Sequence, residues 1–235
     1  MKRLLVIGAS RGIGLAVVRQ ALRRRFAVRA FARSAAKMAS LPSGAFEMHT
    51  GNALDPNDIA AALTGVDAVI LTLGVRPGVE LFFGPVRLFS AATRIIVPAM
   101  QRAGIARLVC VTGFGAGDSR QSIGCLERLP FHLLLGRAYE DKSRQEELIR
   151  ESGLDWVIAR PVILTNGPAT GRYQVLERPE EWRNGLVNRP DVADFLLKQV
   201  EGGAWLRKTP VFAQFAAPIR DPRHSRCPTI GLFGK

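Results

Sequence analysis

The chain has 235 residues, 47% hydrophobic and 23% charged: enough for one large α/β domain with a buried core, too few for two independent domains, and too apolar for wholesale disorder. Its formal net charge of +13 calls for an anionic partner. The basic clusters (Arg19, Arg23, Arg24, Arg25, Arg29 and Arg33, then Arg220, Arg223, His224 and Arg226) lack the interleaved aromatic residues of a single-strand platform, which speaks against specific nucleic-acid binding.

The opening MKRLLVIGASR has too short an apolar run for a signal peptide, and no stretch nears the roughly 18 apolar residues of a membrane span. Cys110, Cys125 and Cys227 are odd in number and form no CxxC pair, so a cytoplasmic protein without a disulfide framework or a metal site is expected. KRLLVIG (2–8) reads as a buried strand, GLAVVRQALRRR (14–25) as a helix and FAVRAFAR (26–33) as a second strand. FEMHTGN (46–52) follows as a third strand. DPNDIAAALTG (55–65) is a helix with Asp55 as its N-cap and Pro56 at its first position. Next come a strand in DAVILTLG (67–74), a helix in VRLFSAATRIIVPAMQRAG (86–104) and a strand in RLVCVTG (107–113). The rhythm breaks between Gly113 and Gly136, where FGAGDSRQS and FHLLLG predict a substrate-side loop or lid. It resumes with a helix in EDKSRQEELIRESG (140–153), closed by Gly153, and a strand in DWVIARP (155–161).

Strands alternating with helices predict a Rossmann-like, doubly wound, mainly parallel sheet with helices on both faces and ligands beyond the carboxyl ends of the strands. The expected organisation is one domain over 1–217, with a small substrate-side region at about 113–137 and 162–190, and a basic tail at 218–235 that is ordered only if it docks.

GASRGIG (8–14) is either a plain turn or the place where a dinucleotide's pyrophosphate meets the backbone. Its position, after a predicted strand and opening a predicted helix, favours the second. Gly8, Gly12 and Gly14 supply a tight turn, a backbone free of Cβ and close helix–strand packing, with the anion at the helix N-terminus. Ser10, Arg11 and Ile13 complete this binding turn. Where an NAD site places a carboxylate after the second strand, this chain has Ala32, Arg33 and Ser34. An arginine fork there pairs with a 2′-phosphate, and Arg11 offers a second cation. The competing view makes Arg33 one more solvated charge. The expected cofactor is NADP(H) in preference to NAD(H).

GASRGIG, Arg33, GNALD (51–55), DAVILTLG, LVCVTG (108–113), KSRQEELIRESGLDWVIARP (142–161), ATGRY (169–173) and NRPDVADFLL (188–197) together resemble the atypical short-chain dehydrogenase/reductases. The group resembled is the NAD(P)-binding one that includes biliverdin reductase B/flavin reductase and the NmrA-like proteins. The likeness runs from Lys2 to about Val211 and implies cofactor contacts at the glycine turn and Arg33, at Asn52 with Ala53 beside the adenine, and at Gly74. It further implies Thr112 near the nicotinamide, Lys142 at the cofactor ribose, and Pro161 and Val162 beside the nicotinamide amide. Two departures stand out: Gly113 replaces a serine frequent in reductase relatives, and the Tyr-x-x-x-Lys pair is missing.

Candidate catalytic groups are therefore Thr112, Tyr139 with Lys142 one helical turn away, and His132. Each has a plainer role: a strand-end hydroxyl bonded locally, an ion pair of Lys142 with Glu146, and a packing histidine. Phe82, Phe83, Phe114 and Phe131 are candidate walls for a planar substrate or, equally, core residues. Three functions compete: an NADPH-dependent reductase of a flavin, tetrapyrrole, quinone or similar conjugated and anionic acceptor; a non-catalytic NADP(H) sensor of the NmrA-like type; and nucleic-acid binding motivated by charge alone. A monomer or homodimer is expected.

Overall fold

Apolar side chains alternate between the two faces of each central strand, so two cores form on one sheet. Leu4 and Val6 of β1 (Arg3–Ile7) face one core, and Leu5 and Ile7 face the other. The computed structural model describes residues 1–34, 38, 44–75 and 86–214, those of 125–134 by their helical backbone alone.

In chain order, β1 is followed by α1 (Gly12–Arg23), β2 (Ala27–Ala32), β3 (Phe46–Thr50), α2 (Pro56–Leu63) and β4 (Ala68–Leu71). Then come α3 (Leu88–Arg102), β5 (Arg107–Val111), α4 (Cys125–Arg150) and β6 (Asp155–Pro161). The chain continues through β7 (Ile163–Thr165), β8 (Gln174–Leu176), β9 (Leu186–Asn188), α5 (Arg189–Glu201) and β10 (Val211–Ala213). The eight-stranded sheet has the order β3-β2-β1-β4-β5-β6-β10-β8. Every pairing in it is parallel except that of β8 with β10. β7 and β9 form a separate two-stranded parallel ladder.

Helices cover both faces. Val17, Val18 and Ala21 of α1 share a core with Val192, Phe195 and Leu196 of α5. On the other face Ile59 and Leu63 of α2, Ile96 and Met100 of α3 and Ile149 of α4 pack against Val69, Leu108 and Ile158. The chain order reverses between β1 and β4, the switch point at which such sheets bind ligands.

Local signals hold at several boundaries. The Asp55 side chain accepts from the Asn57 N–H at 2.8 Å and caps α2, with Pro56 opening it. Gly153 follows α4 at φ +68°. The expected loop at 113–136 needs correction. It contains a short 3-10 helix at Gly117–Ser122 and then the first part of α4, which is 26 residues long and starts at Cys125, not near Glu140. Phe82, Phe83 and the basic tail lie outside the described residues, and so do the side chains of Phe131 and His132.

Candidate active site

The glycine turn ties three strand ends together. Gly8 and Ala9 N–H both donate to the Phe31 carbonyl, at 3.0 and 3.2 Å, and Thr72 N–H donates to Ile7 at 2.8 Å. A Cβ on Gly8 would stand 2.6 Å from the Thr72 carbonyl oxygen, and one on Gly14 would stand 2.2 Å from the Gly8 carbonyl oxygen. Both obstacles are backbone, so only glycine lets α1 approach β1 and β4 this closely. Gly12 is different: φ is +56°, its residue is exposed, and among the described residues only the Arg189 side chain comes within 4 Å of a Cβ placed there.

At the start of α1 no side chain caps the helix and no carboxylate lies in the first turn. The open N–H groups and the helix dipole therefore face a surface of bare backbone, a cradle that fits the pyrophosphate of a dinucleotide. Arg11 is exposed beside it, while Ser10 and Ile13 are half-buried, Ile13 against the core.

Arg33 is exposed immediately after β2, and Ala32, Arg33 and Ser34 include no carboxylate. Asn52 is exposed, but its Oδ1 already accepts from Leu54 N–H at 3.1 Å. Asn52 N–H donates to Asp58 at 2.8 Å. The side chain keeps its amide donor and one Oδ1 lone pair for a base. Ala53 is buried with Phe31 in one core. Gly74 is exposed beyond β4, with no described atom within 4 Å of a Cβ placed on it.

The catalytic candidates gather beyond β5. Thr112, 2% exposed, donates its hydroxyl to Glu146 Oε1 at 2.7 Å. Its N–H donates to Ala159 at 3.0 Å, and its carbonyl accepts from Lys142 Nζ. Glu146 also receives Arg160, through Nε at 3.0 Å and Nη2 at 2.5 Å, and Arg160 reaches Asp118 at 2.5 Å. The Lys142–Glu146 ion pair considered above is thus not formed, because Glu146 is taken by Arg160 and Thr112. Burial lowers the Lys142 pKa to about 8. The ammonium sits 4.9 Å from the Tyr139 ring centroid and 5.3 Å from that of Phe89.

Burial raises the Tyr139 phenol to about 12. The lysine lies over the ring rather than at the oxygen, so it does not sharpen the phenol as an acid. A Cβ on Gly113 would come 2.7 Å from that phenol oxygen, and φ there is +152°. Tyr139 thus fills the space that a side chain at 113 would need. Pro161 and Val162 are buried, and the Pro161 carbonyl accepts from Phe114 N–H at 3.0 Å. Phe114 itself belongs to the core.

Two participants escape the sequence reading, Arg160 and Arg189, and Glu146 enters it only as a partner of Lys142. An arginine inside the apolar strand DWVIARP is a usable signal, since a charge buried there demands a partner. A cavity of about 470 Å³ among Asp118, Arg150, Trp156, Trp182 and Trp205 includes none of the glycine-turn residues. No helix among the described residues is long and apolar enough to cross a membrane.

A strand, a glycine turn and an uncapped helix at the switch point of a doubly wound sheet define a Rossmann-like dinucleotide-binding protein. The chain belongs to the NAD(P)H-binding family, whose model matches residues 8–202, within the atypical short-chain dehydrogenase/reductases. It is 29% identical over 197 residues to an uncharacterized chloroplastic protein of Arabidopsis thaliana, covering 82% of this chain and 70% of that one. It is 27% identical over 158 residues to the NAD(P)H azoreductase of Xenophilus azovorans, covering 67% of this chain and 47% of the other. The solved structure of the anaerobillin reductase ChuY from Escherichia coli O157:H7 is similar at a TM-score of 0.76 and 26% identity, covering 93% of this chain and 100% of that one.

Proposed function

We propose that the protein is an NADPH-dependent reductase of a small, conjugated, anionic acceptor: a flavin, a linear tetrapyrrole, a quinone or a related molecule. The observation that carries this reading is the shared carboxyl edge of the sheet. The anion cradle after β1 and the Thr112–Tyr139–Lys142 group after β5 are two strands apart, about 10 Å at ordinary strand spacing. One extended dinucleotide spans that distance. The names of the azoreductase and of the anaerobillin reductase agree with a reductase.

Reduced nicotinamide, when bound, supplies a hydride to the acceptor. The chain supplies binding, orientation and a proton. In this reading the Gly8–Gly14 turn, with Ser10 and Ile13, holds the pyrophosphate, and Arg33 with Arg11 grips the 2′-phosphate. Asn52 and Ala53 flank the adenine, Gly74 lets backbone approach, and Pro161 and Val162 border the nicotinamide end. Lys142, at about pKa 8, holds its proton at neutral pH yet releases it more readily than an ordinary lysine. It is a better proton source than Tyr139 at about 12, which serves as a wall and a hydrogen-bonding group. Thr112 has its hydroxyl proton engaged by Glu146 and offers a ligand only acceptor lone pairs. Stacking the two rings in register accounts for most of the acceleration.

The sensor reading keeps two observations in its favour: the hydroxyl of Thr112 is committed, and the Tyr139 phenol is a weak acid. NADPH oxidation by the purified protein separates the two. With flavin mononucleotide, biliverdin and a simple quinone as acceptors and NADH as control, turnover preferring NADPH is expected. Arg33→Asp should then weaken NADPH far more than NADH. Tight NADPH binding without turnover on any acceptor transfers the assignment to the sensor.

A further inference from the structure

We infer that Arg189, at the start of α5, is a pyrophosphate-gripping residue that reaches across the mouth of the glycine turn. The inference rests on the cofactor occupying that turn. α1 and α5 lie side by side on one face of the sheet, sharing a core through Val17, Val18, Val192 and Phe195. Gln20 Nε2 donates to the Pro190 carbonyl at 2.7 Å, and Arg24 pairs with Asp194 and, at 3.4 Å, with Glu201. These contacts set the start of α5 beside the second half of α1, and the Arg189 side chain reaches from there to Gly12. Arg189 Nε lies 3.8 Å and Cδ 4.0 Å from the place a Cβ on Gly12 would occupy. The guanidinium thus stands beside the exposed backbone of Gly12.

Its anchoring is neutral. Nη1 donates to Asn166 Oδ1 at 2.6 Å, and among the described residues no carboxylate forms an ion pair with Arg189. Arg24, one helix away, has two acidic partners, whereas Arg189 keeps its full charge facing the cradle. Asn166 fixes the side chain at one nitrogen and leaves the rest of the fork for an anion. The N-terminus of α1 alone presents only about half a positive charge, against two bridging phosphates. A whole charge with directional donors answers that deficit. Both nicotinamide dinucleotides carry the pyrophosphate. Arg189 therefore acts on both alike, whereas Arg33 acts only on the one with a 2′-phosphate.

The test is a titration of the full chain with NADPH and with NADH, followed by nucleotide fluorescence, alongside the melting temperature of the nucleotide-free protein. The proteins compared are wild type, Arg189→Gln, Arg189→Lys and Arg33→Asp. Arg189→Gln should lose roughly ten- to a hundredfold in affinity for both nucleotides, as removal of one charged hydrogen-bonding partner predicts. Its melting temperature should stay at the wild-type value, and Arg189→Lys should recover part of the affinity. Unchanged affinity in Arg189→Gln overturns the inference. A loss confined to NADPH overturns it too, moving Arg189 to the 2′-phosphate. A loss that comes with a lower melting temperature and is not relieved by lysine assigns Arg189 a structural role instead. Wild-type protein that binds neither nucleotide overturns the cofactor reading itself, a result separate from all of these.

Discussion

Glu146 of α4 and Arg160 of β6 meet end to end, two oxygens against two nitrogens at 3.0 and 2.5 Å, with side chains 1% and 0% exposed. Neither charge is tolerable alone at that depth; together, with the Thr112 hydroxyl and Asp118 adding hydrogen bonds, they cancel. The Arg160 guanidinium also stacks 5.2 Å from the Trp182 ring, which faces a cation in place of a further acceptor. Glu146→Ala should therefore cost about 3 kcal/mol in urea denaturation, because it leaves the buried guanidinium only the half-exposed Asp118 as a partner. The apolar pair Glu146→Leu with Arg160→Met should recover most of that loss. A single variant that loses under about 1 kcal/mol, the worth of an exposed pair, would show that this contact does not hold α4 to the sheet.

Gly14→Ala places a methyl group 2.2 Å from the Gly8 carbonyl oxygen and 2.7 Å from Thr72 Oγ1. α1 must then shift, at a cost of about 1–3 kcal/mol, and the anion cradle shifts with it. Gly153→Ala is the control: φ is +68° with no described atom within 4 Å, so it carries the strain of the left-handed region, about 1–2 kcal/mol. Nucleotide titration should show at least a tenfold loss in Gly14→Ala and none in Gly153→Ala. Equal affinities would remove the glycine turn from the binding site.

Lys142 links stability and pH with a definite sign. Burial takes its pKa from 10.5 to about 8. Below pH 8 both the folded and unfolded chains carry the proton, and the cost of burying the ammonium is fully present. Between about 8 and 10.5 only the unfolded chain remains protonated, so this penalty fades as pH rises. Lys142→Met should raise the melting temperature at pH 7 and lose that advantage toward pH 10.5. If Lys142 also delivers the proton to the acceptor, wild-type turnover falls as pH climbs through about 8, and Lys142→Met lacks that limb. A limb at the same pH in both proteins would take Lys142 out of the chemistry.

Much of the fold was legible because its signals are local. Leu4 to Ile7 alternate in a buried strand, Asp55 and Pro56 start α2 within three residues, and GASRGIG bends on its own glycines. The start of α4 was not legible. Pro130 and Gly136 disfavour a helix in a local reading, yet both fall inside Cys125–Arg150. The cap of α3 was equally hidden. Asp141 of α4 accepts from Phe89 N–H at 2.7 Å and Ser90 N–H at 3.3 Å, from about fifty residues away in the chain.

The candidate site divides along the same line. The sequence by itself determined the strand–helix order, the glycine turn at the first crossover and the absence of a carboxylate after β2, since each depends on neighbours in the chain. Only the tertiary structure decided that the Thr112 hydroxyl turns to a glutamate 34 residues on, that Tyr139 fills the space over Gly113, and that Arg189 arrives over Gly12. It decided too that Lys142 titrates near 8. The physical reason is common to all four. A side chain's hydrogen-bond partner, its burial and hence its acidity are set by whatever the fold brings within a few ångströms, and those groups come from distant parts of the chain.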